Sequence, residues 1–199
     1  MAGIREQKKA ETRQAITVAA VALFSTKGYE KTSIEDIARA AKIGKATIYT
    51  YFSTKDEIFM SYCDDELEDS FAQFRTPQFV EGQLIDHLLK FFMIKFRFVT
   101  KNHEFGRQLL REMVFPKTIN EKVKEHDKRY FDILENIFRS AQKRGELAGQ
   151  LDMFHTTVHF YSLYLGALAG WYTGYVDSVE EVEAALRILF SQAIEGVGV

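Results

Sequence analysis

Several residue types are scarce in this chain of 199 residues, and each shortage excludes a class of protein or site. The sequence has one cysteine, Cys63, which excludes an intrachain disulfide framework and a cysteine zinc site but leaves redox sensing by this thiol open. No apolar run approaches the roughly 20 residues that span a bilayer. Neither end combines a basic segment, an apolar run and a cleavage site, so no secretory signal is visible. We therefore expect a soluble, cytoplasmic protein with no membrane partner.

Proline and strand-like patterns are also scarce. The chain has two prolines, and no segment alternates apolar and polar residues as a half-buried strand does. Apolar residues instead recur at helical spacing, in a composition that is 46% hydrophobic and 14% aromatic. The sequence therefore predicts an all-α protein of about nine helices with a large core. The predicted helices lie at about 8–26, at two short segments between 33 and 53, and at 54–74, 83–100, 103–114, 117–144, 152–175 and 178–196.

Patterns typical of catalysis or metal binding are missing as well. There is no Gly-x-Ser-x-Gly nucleophile turn, and Gly44-Lys45 does not end a phosphate-binding loop because the first glycine of that pattern would fall at Arg39. His155 and His159 have the i, i+4 spacing of two metal ligands, but no cysteine and only one acid lie close to them. We therefore expect no enzyme activity, no cofactor and no metal, and interpret both histidines as surface or interface residues.

The most informative segment, 32–57, predicts a helix, a tight turn and a second helix. Ser33 precedes apolar residues at i, i+3, i+4 and i+7, the pattern of an N-cap followed by one buried helical face. After a turn at 42–44, Ile48 and Phe52 give the second helix its own buried face. Two helices joined by a short turn form the unit whose second helix enters the major groove of DNA.

The outward surface of this second helix has the chemistry of a DNA contact. It lies in an acid-free run of 19 residues, 37–55, although the chain contains 28 acids. Hydroxyl and ammonium groups donate to phosphate oxygens, and threonine methyls can contact the methyl group of thymine. The alternative is a small surface helix that lacks acids by chance. The outward residues are Lys45, Thr47, Tyr49, Thr50 and Tyr51.

Charge is divided unevenly along the chain. Residues 1–55 contain ten Lys or Arg and five acids, a net charge of +5, whereas the other 144 residues carry −7. A basic end on an acidic body indicates a nucleic-acid partner, which the overall pI near 6.2 conceals. The first basic residues, Arg5, Lys8, Lys9 and Arg13, either lie along a phosphate backbone or form a solvated tail.

Residues 8–62 resemble the DNA-binding domain of the TetR family of transcriptional repressors. The resemblance covers about a quarter of the chain, and both the order and the spacing of the segments match. It implies a dimeric, all-helical regulator with a helix-turn-helix domain at 1–55 and a variable ligand-binding and dimerisation domain at 56–199. The matching segments are Ala22–Tyr29, Thr32–Ala38, Thr47–Phe52 and Ser53–Glu57.

The resemblance also implies roles for individual residues, of three kinds. Thr32 and Ser33 would bind a phosphate of the DNA, and Lys45, Ala46 and Thr47 would contact base edges. Tyr49, Tyr51 and Lys55 would contact the DNA backbone.

Two positions depart from the family pattern. Lys42 stands in the inter-helix turn where the family usually has glycine. A left-handed backbone there costs a non-glycine residue roughly 1–2 kcal/mol, so we expect a slightly remodelled turn. Gly44 replaces the usual serine or threonine cap of the second helix, which removes a hydroxyl that could contact phosphate.

The last two predicted helices are the candidates for subunit pairing. Small residues on one would admit a close neighbour, and apolar residues on the other have heptad-like spacing, so two subunits could form a four-helix interface. The alternative is that these faces pack within one chain. The predicted interface residues are Gly166, Gly170, Val182, Leu186, Leu189 and Ala193.

Aromatic residues are abundant in the larger domain and indicate a cavity for a flat or hydrophobic ligand. The alternative is that most of them are ordinary core. Lys95, Arg97 and Arg107 stand among apolar neighbours, where they could meet a ligand carboxylate or extend to solvent. The predicted pocket residues are Phe92, Phe96, Leu109, Met113, Phe131, Leu134, Phe160, Tyr164 and Trp171.

Together these patterns predict a ligand-responsive, DNA-binding transcriptional regulator. We expect a homodimeric repressor that a small hydrophobic or aromatic effector releases from a pseudo-palindromic, double-stranded DNA operator. The alternative is a constitutive DNA-binding regulator without small-molecule input.

Overall fold

The computed structural model describes residues 2–72, 74, 82–101, 103–115 and 121–197. Within these ranges the chain forms nine α-helices and no strand, which confirms the predicted all-α fold. None of the described helices is long and apolar enough to cross a membrane. The helices are α1 (Ala2–Lys27), α2 (Ile34–Ala40), α3 (Lys45–Tyr51), α4 (Lys55–Ala72), α5 (Leu84–Thr100), α6 (His103–Val114), α7 (Glu121–Lys143), α8 (Met153–Thr173) and α9 (Val179–Val197).

Helix α1 begins at Ala2, earlier than the predicted start near Lys8. Its first turns contain Glu, Gln, Lys and Ala, which are among the best helix formers, and Gln7 donates to Glu11 one turn later at 3.1 Å. The basic residues at this end are therefore helical and exposed, and their contact with a phosphate backbone stays a prediction.

The described chain divides into two compact units. Unit 1 comprises residues 1–68 and 99–126, and unit 2 comprises 69–98 and 127–199. Unit 1 therefore adds α6 to the helices of the helix-turn-helix region. The domain boundary at residue 55 that the sequence suggests stays a prediction.

Unit 1 has an apolar core to which five of its helices contribute. Ile16, Ile37 and Ile48 are fully buried and come from α1, α2 and α3. Phe59 of α4 packs its ring 4.7 Å from that of Phe105 in α6. The two short helices are thus fixed on a framework of longer ones, as helices too short to be stable alone require.

Unit 2 is held together by stacked and edge-to-face aromatic rings. Phe92 of α5 stacks on Tyr164 of α8 at 4.9 Å and lies 5.2 Å from Phe190 of α9. Phe160 of α8 lies 5.0 Å from Phe138 of α7. These rings close the interior between α5, α7, α8 and α9, and pairs at such distances add stabilisation beyond the area they bury.

Most of the predicted pocket residues of unit 2 belong to this packed interior. Trp171 and Phe131 are only half-buried, whereas Leu109 lies in unit 1 and the side chain of Met113 lies outside the described part of the structure. Five of the predicted residues are fully buried side chains of the unit 2 core: Phe92, Phe96, Leu134, Phe160 and Tyr164.

The predicted pairing face of α9 needs a correction. Val182 and Leu186 are fully buried within unit 2, Ala193 is nearly so, and Leu189 is half-buried. The heptad-like spacing therefore marks the face that α9 turns to its own chain, and the alternative of packing within one chain is right for it. Ile188, on the opposite face, is 59% exposed.

Helix α8 differs, because one of its two predicted interface residues, Gly166, does lie outward. Gly166 is exposed, and a Cβ added to it would meet no atom within 4 Å. Gly170 is half-buried, since Val176 of the following loop lies 3.5 Å from the position a Cβ would take. Gly166 is therefore accessible to another helix, whereas Gly170 serves the local turn.

Candidate nucleic-acid interface

Helix α2 begins at the predicted N-cap Ser33, and the structure shows that this cap is reciprocal. The amide of Asp36 donates to Ser33 Oγ at 3.1 Å, and the amide of Ser33 donates to Asp36 Oδ2 at 3.0 Å. The Lys27 ammonium at 2.5 Å, together with the donors of Ser33, holds the pKa of the Asp36 carboxyl well below its usual range. The cap and this ion pair fix the start of α2 against the end of α1.

The turn between α2 and α3 keeps a left-handed residue although that residue is Lys42. Its φ is +56°, and it is the one described non-glycine residue with positive φ. The amide of Ile43 donates to Ala38 at 3.0 Å and that of Lys42 to Arg39 at 3.2 Å, the two bonds of a Schellman ending. The remodelled turn expected from the sequence is therefore wrong, because the two bonds hold the backbone in place despite the strain.

Helix α3 buries one face and presents the other to solvent. Ile48 and Phe52 are buried as predicted, and Gly44 caps the helix without a side-chain bond. Tyr49 is 49% exposed. Of the other residues predicted to contact DNA, Lys45, Ala46 and Thr50 are exposed, and Thr47 and Tyr51 are half-buried.

Lys45 forms an ion pair with Glu35 that the sequence pattern did not indicate. The ammonium donates to the exposed Glu35 carboxylate, which lowers the pKa of Glu35 and raises that of Lys45. The two residues are ten positions apart on different helices, so no helical periodicity relates them. An exposed ion pair of this kind is weak, so phosphate or a base edge can replace the carboxylate.

Two residues assigned to DNA by the resemblance are engaged inside the protein. Thr32 is buried and its hydroxyl donates to the carbonyl of Gly28 at 2.8 Å. The Lys55 ammonium donates to the carbonyls of Tyr29 at 2.7 Å and Thr32 at 3.0 Å, and it lies 4.1 Å from the centroid of the Tyr29 ring. Both side chains thus hold the loop after α1 in the absence of DNA, and their predicted contacts with DNA stay predictions.

Arg13 likewise serves the fold. Its guanidinium lies 4.7 Å from the centroid of the Phe52 ring and donates to Ser61 Oγ at 2.6 Å. This contact attaches α1 to the end of α3 and to α4. No sequence pattern predicts this contact, because nothing in the spacing distinguishes Arg13 from its basic neighbours.

The other N-terminal basic residues lie beside α3. A groove of about 630 Å³ runs between the first turns of α1 and the end of α3. Its lining is mainly cationic and hydroxylic, which extends the surface of α3 in the way that backbone-contacting elements flank a recognition helix. The residues that line it are Arg5, Glu6, Lys8, Lys9, Thr12, Thr50 and Tyr51.

Other candidate residues do not assemble into a site. Cys63 is buried in α4. His155 and His159 are exposed, and the imidazole of His155 contacts Asp152 at 2.7 Å, where that carboxylate caps α8. Among the described residues no group of three or more His, Cys, Asp or Glu is placed to hold a metal ion.

Comparison with known proteins identifies this arrangement. The family model of bacterial regulatory proteins, tetR family, matches residues 16–62, which contain the helix-turn-helix. The HTH-type transcriptional regulator UidR of Escherichia coli is 26% identical over 193 residues, covering 94% of this chain and 90% of UidR. The HTH-type transcriptional repressor NicS of Pseudomonas putida is 39% identical over 76 residues, covering 38% of this chain and 34% of NicS.

The fold of the whole chain is also shared. The structure of Thermus thermophilus FadR, a TetR family transcriptional repressor in complex with lauroyl-CoA, has a TM-score of 0.72 and 21% identity. The match covers 89% of this chain and 93% of FadR. The segment match, the regulator relatives and the common fold all support a TetR family transcriptional regulator, and the family model matches the helix-turn-helix segment 16–62.

Proposed function

We propose that this chain is a cytoplasmic repressor that binds a pseudo-palindromic operator as a homodimer and leaves it when a small hydrophobic or aromatic effector binds. The observation that carries the DNA half of the proposal is the outward face of α3. Lys45, Tyr49 and Thr50 are exposed there, while Ile48 and Phe52 hold the helix on its framework. A rigid helix with exposed donors is suited to the major groove.

The homodimer rests on symmetry and on the exposed faces of α8 and α9. Two α3 helices must reach half-sites about 34–36 Å apart, or a multiple of that spacing, which needs a twofold partner. Val158 of α8 and Ile188 of α9 are exposed apolar side chains, and Gly166 of α8 leaves room for close helix approach. We place the subunit interface there rather than on the buried face of α9.

Repression and release by an effector are supported by what the relatives are named for. NicS is called a repressor, and FadR of Thermus thermophilus is a repressor solved with lauroyl-CoA. Release needs only that the effector binds the DNA-free conformation more tightly than the DNA-bound one. A coupling of about 1–3 kcal/mol is typical of such systems.

The alternative of a constitutive regulator also has an observation in its favour. Five of the predicted pocket residues are fully buried, and the four aromatic ones pack against other rings, as a filled core would require. A thermal-shift screen with hydrophobic and aromatic compounds separates the two functions. Stabilisation by a compound that also weakens operator binding supports the repressor with an effector, and the lack of any response supports the constitutive regulator.

The DNA partner is tested by selecting bound sequences from a library of random duplexes and then measuring affinity by fluorescence anisotropy. We expect a selected site with two inverted half-sites. Tyr49→Phe removes one hydroxyl, and Lys45→Ala removes one cation, from the outward face of α3. Each should weaken binding, and Lys45→Ala should lower the slope of log K against log salt by about one if Lys45 contacts a phosphate.

The matched control is Lys128→Ala, an exposed lysine of α7 that is paired with Asp132. It should leave both affinity and salt slope unchanged. Lys55→Ala is a poor probe of DNA contact, because Lys55 bonds two carbonyls of the loop after α1. If Tyr49→Phe and Lys45→Ala both bind the operator with wild-type affinity, the outward face of α3 does not contact DNA in the proposed way.

A further inference from the structure

Glu35 is an acid on the surface that is proposed to contact DNA. It is the second residue of α2, and its carboxylate and the ammonium of Lys45 in α3 are both exposed. The two groups are joined by a hydrogen bond, and neither side chain has another ion pair within the described structure. The Lys45 ammonium and, more weakly, the Ser33 hydroxyl lower the pKa of the Glu35 carboxyl, so both lie close to it. Glu35 therefore lies between two residues that the resemblance assigns to DNA.

The neighbouring acid of α2 has a different environment. Asp36 is half-buried, and its carboxylate accepts from the Ser33 amide at 3.0 Å and pairs with Lys27 at 2.5 Å. Asp36 thus serves the start of α2. The carboxylate of Glu35 is instead directed across to α3, so the cap of α2 does not depend on it.

A carboxylate at this position carries a cost on DNA. The major groove is bordered by phosphates, which repel the carboxylate, and an exposed pair with Lys45 offsets little of this repulsion. A donor on the DNA would compensate the charge. In the major groove the base edges offer two such donors, the N4 amino group of cytosine and the N6 amino group of adenine.

The pair of Lys45 and Glu35 matches the edge of a G·C base pair. In the major groove that edge presents two adjacent acceptors, N7 and O6 of guanine, followed by one donor, N4 of cytosine. An ammonium beside a carboxylate complements all three groups, because the ammonium donates to guanine and the carboxylate accepts from cytosine. The edge of an A·T pair separates its two acceptors by N6 of adenine, so the same ammonium reaches only one of them.

Lys45 also stands at the right place in the recognition unit for this contact. It is the first residue of α3, and the N-terminal residues of a recognition helix are those that contact base edges. Any base that the Lys45 ammonium contacts lies within reach of Glu35, because the two side chains are already in hydrogen-bond contact.

We propose that Glu35 is a specificity-determining residue, and that Glu35 and Lys45 together read one G·C base pair in each half-site of the operator. Glu35 accepts from N4 of cytosine, and Lys45 donates to N7 and O6 of the paired guanine. The inference rests on the proposed contact of α3 with DNA and adds to it a residue of α2 and one preferred base pair. The ion pair holds both groups in place before DNA binds, which reduces the entropy lost on binding.

The test begins with duplexes that the full chain selects from a random library, in parallel for wild type and two variants. Wild type should select inverted half-sites with a G·C pair at one common position. Glu35→Ala should accept other base pairs at that position and keep its preferences elsewhere in the half-site. Glu35→Gln should shift the preference there toward A·T, because an amide is complementary to adenine.

Modified bases then identify the contacted atoms, with affinity for the selected operator measured by fluorescence anisotropy. N4-Methylcytosine carries a methyl group in place of the major-groove hydrogen of the amino group, and 7-deazaguanine lacks N7; both keep the base pair. The first should weaken wild type at least about tenfold and leave Glu35→Ala nearly unchanged, as the loss of one charge-assisted hydrogen bond implies. The second should weaken wild type severalfold but not Lys45→Met.

The matched control is Glu30→Ala, which removes an acid from another exposed ion pair of unit 1, with Arg111. It changes the net charge of the protein as Glu35→Ala does, so it reports the general effect of charge on affinity. Glu30→Ala should keep both the G·C preference and the full penalty of N4-methylcytosine.

The inference is overturned if Glu35→Ala binds all duplexes more tightly by one common factor, because Glu35 then only neutralises Lys45. It is also overturned if N4-methylcytosine weakens wild type and Glu35→Ala alike. In both cases the selected operator with its inverted half-sites would still support the proposed function. Failure to select any operator would instead remove the proposed DNA binding, and this inference with it.

Discussion

Two lysines show how differently the two units of this protein use a charge. Lys45 of unit 1 is exposed on α3 and pairs with the exposed Glu35. Lys95 of unit 2 is buried between two tyrosine rings. An exposed pair contributes little to folding and can be exchanged for a phosphate at little cost. A buried ammonium is costly to remove from water, so it depends on the groups that pack around it.

The difference between these two lysines shows in which unit a substitution can change function without changing the stability of the fold. On α3 the exposed polar groups can be removed without disturbing the framework that carries them. In unit 2 the buried polar groups lie in the core itself, so a substitution there changes the stability of the unit. The predictions below test that separation, beginning with the largest expected effect.

The two faces of α9 should respond in opposite ways to the same substitution. Leu186 is 0% exposed and Ile188 is 59% exposed. Leu186→Arg buries an unpaired charge and should cost more than about 4 kcal/mol, enough to abolish cooperative folding. Ile188→Arg should leave the helical fold intact but give monomers. Circular dichroism with thermal melting and light scattering after size exclusion measure the two outcomes.

The loss of the dimer also has a consequence for DNA. A monomer has one recognition helix instead of two linked ones, so Ile188→Arg should weaken operator binding on the order of 100-fold. The control is Ala184→Ser, a small change on the same exposed side of α9. A dimer that survives Ile188→Arg would show that subunits pair elsewhere.

Removing a tyrosine hydroxyl should likewise have opposite effects in the two units. Tyr164→Phe deletes a buried hydroxyl that has no partner in the described structure, and it should raise the free energy of unfolding by about 1 kcal/mol. Tyr49→Phe deletes an exposed hydroxyl and should leave stability within about 0.5 kcal/mol while weakening operator binding. Denaturant unfolding and anisotropy on both variants give the comparison. Destabilisation by Tyr164→Phe would mean that its hydroxyl has an acceptor.

The sequence predicted local features well because short spacing determines them. The Ser33 N-cap, the inward Ile48 and Phe52, and the bounds of α4 to α9 within a few residues all follow from helical periodicity and capping chemistry. The positions of the site residues on the surface of α3 follow from the same periodicity, and their contacts with DNA stay predictions.

Features that depend on distant partners could not be predicted. Lys95 and Tyr161 are 66 positions apart, and no local pattern distinguishes a lysine that is covered by two rings from one that extends to solvent. The loop role of Lys55 depends in the same way on the carbonyl of Tyr29. The heptad-like spacing on α9 identified an apolar face correctly but could not say whether its own chain or a second subunit covers that face.

A smaller effect concerns the turn that positions α3. Lys42 has φ +56°, where a Cβ is strained by roughly 1–2 kcal/mol. Lys42→Gly removes the strain but adds freedom to the unfolded chain, so the net gain should be about 0.5–1 kcal/mol. Lys42→Ala is the control, since it removes the charge and keeps the strain. Equal unfolding free energies for the two variants would show that the turn relaxes around the lysine.

The smallest effect should come from the ion pair at the start of α2, and it should depend on pH. The Lys27 ammonium and the donors of Ser33 lower the pKa of Asp36, so the folded state favours the ionised carboxyl. The stabilisation is therefore present above the unfolded pKa of about 3.9 and is lost as pH falls below it toward the lower folded value. Asp36→Asn should melt slightly below wild type between pH 5 and 7, and the two melting temperatures should converge below pH 4.

Glu195→Gln, at an exposed position of α9, is the control for the loss of one acid and should show no such convergence. Because both partners are at the surface, 1 M salt should remove the part of the stabilisation that is due to Lys27 and leave the part that is due to the cap. An interaction that is buried in unit 2 should not respond to salt in this way.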